Sequence, residues 1–263
     1  MTLTTRNNLM LGGIFLVALF LLGFVGIVFF IFQKGSLPIF RDSESLSIAP
    51  VILVLFSELI FSLGATIILY FSFRKTTSAE IFFFMGFIIS ISFDALKLIP
   101  ILISITNSPP YLGVIASRVI YFGRYFGTAA LFSAGLFSTG IGYGKMELAL
   151  GIVFILAFSL ALTIPIDMTS LEENLVHRST RGREIMTIRI LFQSLAVLNF
   201  ILAAIMHKEY SYLFMAAGVA LVFFGRELLF YVMDPILIIV AFVLVIGGST
   251  IFSERTHEVH LWA

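Results

Sequence analysis

The chain has 263 residues, of which 60% are hydrophobic and 12% charged, with a mean hydropathy of +1.10 and a formal net charge of +1. These values exclude an ordinary soluble domain, and the near-neutral charge without a dense basic run excludes nucleic acid as a partner. The absence of cysteine excludes disulfides, thiolate catalysis and cysteine-ligated metals.

A membrane-crossing helix needs about 20 apolar residues to span roughly 30 Å of hydrocarbon. Such stretches occupy residues 9–32, 49–73, 81–105, 112–140, 148–166, 184–206, 212–231 and 235–253. They predict an all-α, polytopic helical bundle of about eight transmembrane helices, forming a single integral domain over 1–263 in the cell membrane. The first stretch follows only Arg6 and is longer than a signal-peptide core, so it is expected to remain as a helix. Only Met233-Asp234-Pro235 separates the last two stretches, and a re-entrant hairpin is the alternative there to two full crossings.

Eight crossings place both termini on one face. The loop at 106–111 carries no Lys or Arg while Arg74-Lys75 is basic, which points to cytoplasmic termini; Lys34, Arg41, Arg178, Arg181 and Arg183 on the other face argue against it. The long connection before the sixth stretch contains Ser170 and Glu173 at capping-box spacing and predicts a short surface helix. A faint repeat relates halves 1–146 and 147–263. Lys75-Thr76-Thr77-Ser78 and Lys208-Glu209-Tyr210-Ser211 each precede, at equal distance, an intramembrane acid, Asp94 or Glu227.

Charged residues inside these stretches carry the functional argument, because each costs roughly 2.5–3.5 kcal/mol at a helix centre unless it finds a partner or water. On the third stretch Gly86, Ser90, Asp94 and Lys97 share one face at about 100° per residue. The second offers Glu58 and Ser62; the fourth Ser117, Arg118, Tyr121, Arg124 and Tyr125; the sixth Arg189 and Gln193; the seventh Arg226, Glu227 and Tyr231, followed by Asp234. With a rise of about 1.5 Å per residue, Glu58, Lys97, Arg118 and Arg189 lie roughly 7–14 Å in from the face opposite the termini. Asp94 and Arg124 lie deeper and Arg226 and Glu227 shallower.

The shared depth predicts one polar, mildly cationic pocket open toward that face. Its ligand-binding set is Glu58, Asp94, Lys97, Arg118, Tyr121, Arg124, Arg189, Gln193, Arg226 and Glu227. Arginine's planar fork suits a phosphate or carboxylate, and the tyrosines and phenylalanines suit an apolar tail. Membrane lipids are the expected partners, together with a membrane or signalling protein, since only a short tail follows Ser253. A transporter or flippase, and a structural subunit held by internal ion pairs alone, are the competing readings. Ala134, Ser138 and Gly142, spaced by four, predict close helix packing.

Catalytic signatures are poor, and no cofactor is implied. Glu172-Glu173-Asn174-Leu175-Val176-His177-Arg178 resembles the paired-glutamate motif of CAAX-protease-like peptidases only in part: its arginine is one residue too distant, and the partner histidines within helices are missing. His257 and His260 stand one turn apart, but two ligands in a tail do not make a metal site.

Overall fold

The computed structural model describes residues 1–34, 48–76, 78–172, 174–231 and 234–261. Arg41, Thr77, Glu173 and Met233, used in the sequence argument, lie outside the described residues. Eight long helices account for most of the chain: α1 (Leu3–Lys34), α2 (Ile48–Phe73), α3 (Ala79–Thr106), α4 (Tyr111–Ser138), α5 (Met146–Thr163), α6 (Gly182–His207), α7 (Ser211–Tyr231) and α8 (Pro235–Leu261). All but α4 are long and apolar enough to cross a membrane on composition alone, and the protein is a multi-pass membrane bundle.

The exception has a physical cause. α4 is the central helix, packed against α3, α5 and α6, and most of its 28 residues are buried. A helix that touches protein on nearly every side gains nothing from lipid-facing leucines, and its glycines serve close approach instead. A Cβ at Gly123 would stand 2.7 Å from Phe93 Cβ, and one at Gly135 would stand 2.8 Å from Asn199 Cβ. The predicted small-residue stripe therefore needs correction at its end. Ala134 and Ser138 are buried, but Gly142 is exposed beyond the helix with no neighbour around its Cα, and Gly135 makes the close contact.

The last two stretches are full helices of 21 and 27 residues, not a re-entrant hairpin. They pack together intimately: a Cβ at Gly218 would meet the Gly248 carbonyl at 2.8 Å, and one at Gly248 would meet the Gly218 carbonyl at 2.6 Å. The start of α1 and the end of α8 lie at the same end of the bundle. Arg6 donates to the Phe73 and Thr76 carbonyls, the Met1 amine lies 3.4 Å from Glu147, and the His257 ring meets the Phe73 edge.

On the opposite face the predicted surface helix is absent. Residues Ile166–Leu171 (β1) and His177–Ser179 (β2) form an antiparallel hairpin. The capping-box spacing was misleading because the segment closes on itself as a turn. Glu172 N–H donates to the Val176 carbonyl, Leu175 N–H to the Glu172 carbonyl, and Val176 N–H to Asn174 Oδ1. Leu175 adopts a left-handed φ of 62°, a conformation that costs a branched side chain about 1–2 kcal/mol and that glycine would adopt freely. Burial offsets that strain. Asn174, Leu175 and Val176 are all buried, and the tip descends into the mouth of the bundle. Leu175 joins the buried apolar cluster that holds Leu55, Leu59, Ala95 and Leu98, while Val176 joins the one that holds Tyr121, Tyr125 and Phe230. His177 N–H donates to Ser117 Oγ at 3.0 Å, fastening the hairpin to α4.

Candidate functional site

Below the hairpin tip lie the charged residues, and the geometry of α3 decides how they meet. Pro100 has no N–H to offer the Leu96 carbonyl, which accepts instead from Ile99; the preceding stretch, Ser92–Leu98, winds as a 3₁₀ helix. At three residues per turn, Asp94 and Lys97 stand directly above one another. Just before this stretch Arg226 crosses from α7, donating through one Nη to the Ser90 carbonyl at 3.1 Å and through the other to Ser90 Oγ at 2.8 Å. Gly127 makes room for this crossing, because a Cβ there would collide with both Ser90 Oγ and the Arg226 guanidinium.

The buried charges form two adjoining groups. In the first, Glu227 is the hub: one carboxylate oxygen accepts from Arg124 at 2.6 Å and from Arg189 at 2.7 Å, and the other accepts from Gln193 at 2.9 Å. Arg189 also donates to the Tyr231 hydroxyl at 3.3 Å. In the second, Glu58, Asp94 and Lys97 are at most 2% exposed. Glu58 Oε2 and both Asp94 oxygens have no hydrogen-bond partner among the described residues. Asp94 is the strongest electrostatic partner of both Lys97 and Arg226, and Glu58 lies within the field of Asp94, Lys97, Arg226 and Arg124. Phe230 separates the groups: the Lys97 ammonium lies 4.0 Å and the Arg124 guanidinium 3.5 Å from its ring centroid. Counted together, Lys97, Arg124, Arg189 and Arg226 face Glu58, Asp94 and Glu227, leaving one excess positive formal charge.

The sequence-predicted set is thus brought together with two exceptions. Arg118 points elsewhere: six residues separate it from Arg124, a rotation of about 120° around the helix axis. It lies in a groove with Phe93, Phe122, Phe154 and Phe158, with no ion pair or hydrogen bond among the described residues. Tyr121 is buried under the hairpin tip with Val176, Tyr125 and Phe230. Asp234, grouped with the intramembrane charges by sequence, is exposed and caps α8, accepting from the N–H groups of Ile236 and Leu237.

The way out of the cluster also differs from expectation. The hairpin tip stands over the mouth on the face opposite the termini. The polar groups reach the surface sideways, in a groove between α6 and α7 whose floor carries Arg189, Gln193, Glu227 and Tyr231. Its walls are apolar, with Ile190, Leu198 and Phe224 exposed at the rim. Comparison of the chain with protein-family models, with curated proteins and with solved structures found no significant match.

Proposed function

We propose that this membrane protein is a binding module for an amphiphile, whose polar end is anionic and whose apolar part lies along the groove between α6 and α7. The observation that carries the reading is the placement of Arg189, Gln193, Glu227 and Tyr231 together in a laterally open groove whose other lining, Ser194 apart, is apolar. Two arginines converge on one glutamate there, so the centre keeps a positive surplus, and arginine suits the planar geometry of carboxylate and phosphate. An amphiphile entering from the bilayer keeps its tail in apolar surroundings throughout, and only its head exchanges water for these donors.

The saturation of Glu227 by Arg124, Arg189 and Gln193 favours a second reading, in which the cluster only fixes helix packing. Mass spectrometry of amphiphiles that copurify in mild detergent separates the two. A stoichiometric amphiphile retained by the parent and lost from Gln193→Leu, which keeps both ion pairs, supports binding. Equal nonspecific lipid in parent and variant leaves the ion pairs as packing devices.

A further inference from the structure

Arg118 is an intramembrane cation that the charged cluster does not use. Its surroundings form a second amphiphile-shaped surface, on a different side of α4 from the α6–α7 groove. The groove around it is lined by Phe93, Ile115, Val119, Phe122, Phe154, Phe158 and Leu162, and Arg118 is the one charged residue in that lining. Ile115, Phe154, Phe158 and Leu162 are exposed at its rim, so it opens sideways and not into the bundle.

This groove does not end near Arg118. Phe93, Phe122 and Phe154 also line a second cavity, which continues toward the face of the termini past Gly86, Ile89, Phe126 and Ala130 to Leu150. That continuation is lined by apolar residues and glycine throughout. From Arg118 to Ala130 the trough follows about 18 Å of helix, enough to seat one acyl chain along its length.

We propose that this trough holds one phospholipid, with its phosphate on the Arg118 guanidinium and an acyl chain along Phe93, Phe122, Phe154 and Ile89. Charge complementarity selects the occupant. A half-buried guanidinium without a protein partner among the described residues, set among phenylalanines, suits an anion that arrives laterally with its own apolar chain, and a membrane phosphodiester is such an anion. The site lies apart from the α6–α7 groove and does not depend on the function proposed for it.

The test is native mass spectrometry of the full chain released from nanodiscs made with a phospholipid, and from nanodiscs made with a phosphate-free glycolipid. The parent is expected to retain one tightly held phospholipid and no corresponding glycolipid. Arg118→Gln is expected to lower its occupancy about tenfold, and Arg118→Lys, which keeps the charge without the fork, to lower it less. Ile89→Trp fills the trough, leaves Arg118 in place and is expected to empty the site as well, which keeps the test decisive if Arg118→Gln does not fold. Arg189→Gln is expected to leave this lipid bound. Equal retention in the parent and in Arg118→Gln overturns the proposal. So does retention in Ile89→Trp, or equal retention of the glycolipid.

Discussion

Glu227 and Asp94 both lie beside Arg124, yet their surroundings contrast. Three side chains hydrogen-bond the Glu227 carboxylate, whereas Asp94 offers two buried oxygens to cations that surround it without closing a hydrogen bond. The backbone explains part of the difference. Glu227 lies on a regular helix whose neighbour α6 presents Arg189 and Gln193 four residues apart on one face, while Asp94 lies on a 3₁₀ turn that sets Lys97 above it along the same helix. One acid organises its partners, and the other is held only by their field.

The largest effect on this contrast is expected from Glu227→Gln. It strands Arg124 and Arg189 in a buried site, and removing one side of such a pairing costs about 3–5 kcal/mol. Asp94→Asn breaks no direct hydrogen bond and is expected to cost clearly less in reversible unfolding in detergent or bicelles. Equal costs for the two substitutions would erase the distinction between the groups. A smaller effect, about 1–3 kcal/mol, is expected for Gly127→Ala, whose methyl pushes Arg226 away from Ser90. The double variant Gly127→Ala, Ser90→Ala should then cost little more than Gly127→Ala alone, and full additivity would show that the methyl acts elsewhere.

The smallest change in stability is expected at the hairpin tip. Leu175→Gly gives up roughly 1.5–3 kcal/mol of burial but recovers about 1–2 kcal/mol of left-handed strain, a net loss of about 1 kcal/mol. Leu175→Ala keeps the strain and loses most of the packing, so it should be the less stable of the two. With the seat vacated, a cysteine introduced at Ala95 is expected to react faster with a membrane-impermeant thiol reagent. An unchanged rate in Leu175→Gly would mean that the tip does not control access to Asp94 and Lys97.

The helices were legible because hydrophobic length is a direct consequence of bilayer thickness, and even α4 announced itself as a 28-residue apolar-rich run. Level along each helix was read from the same kind of rule: a fixed rise per residue grouped Glu58, Lys97, Arg118 and Arg189 and set Asp94 and Arg124 deeper. Rotation was not. Arg118 and Arg124 share a helix, but about 120° of rotation sends one to the rim and the other to the core. The hairpin was hidden for a different reason. Ser170 and Glu173 satisfy a helix-start spacing, and only the tertiary seat for Leu175 and Val176 makes the turn the better use of that segment. Pro100 stands within the third apolar stretch, but its position alone does not tell which side chains the altered winding aligns.

The Glu227 hub also sets an order of events during synthesis. Arg124 enters the bilayer on the fourth helix and Arg189 on the sixth, but their shared counter-ion arrives only with the seventh, 103 residues after Arg124. At 5–20 residues per second, that interval is about 5–20 s. For that time neither arginine has its final partner, and releasing α4 or α6 singly into lipid would expose an uncompensated cation. Holding α4 through α7 together until the glutamate is made avoids that exposure, and the glycine-lined docking of α8 closes the set.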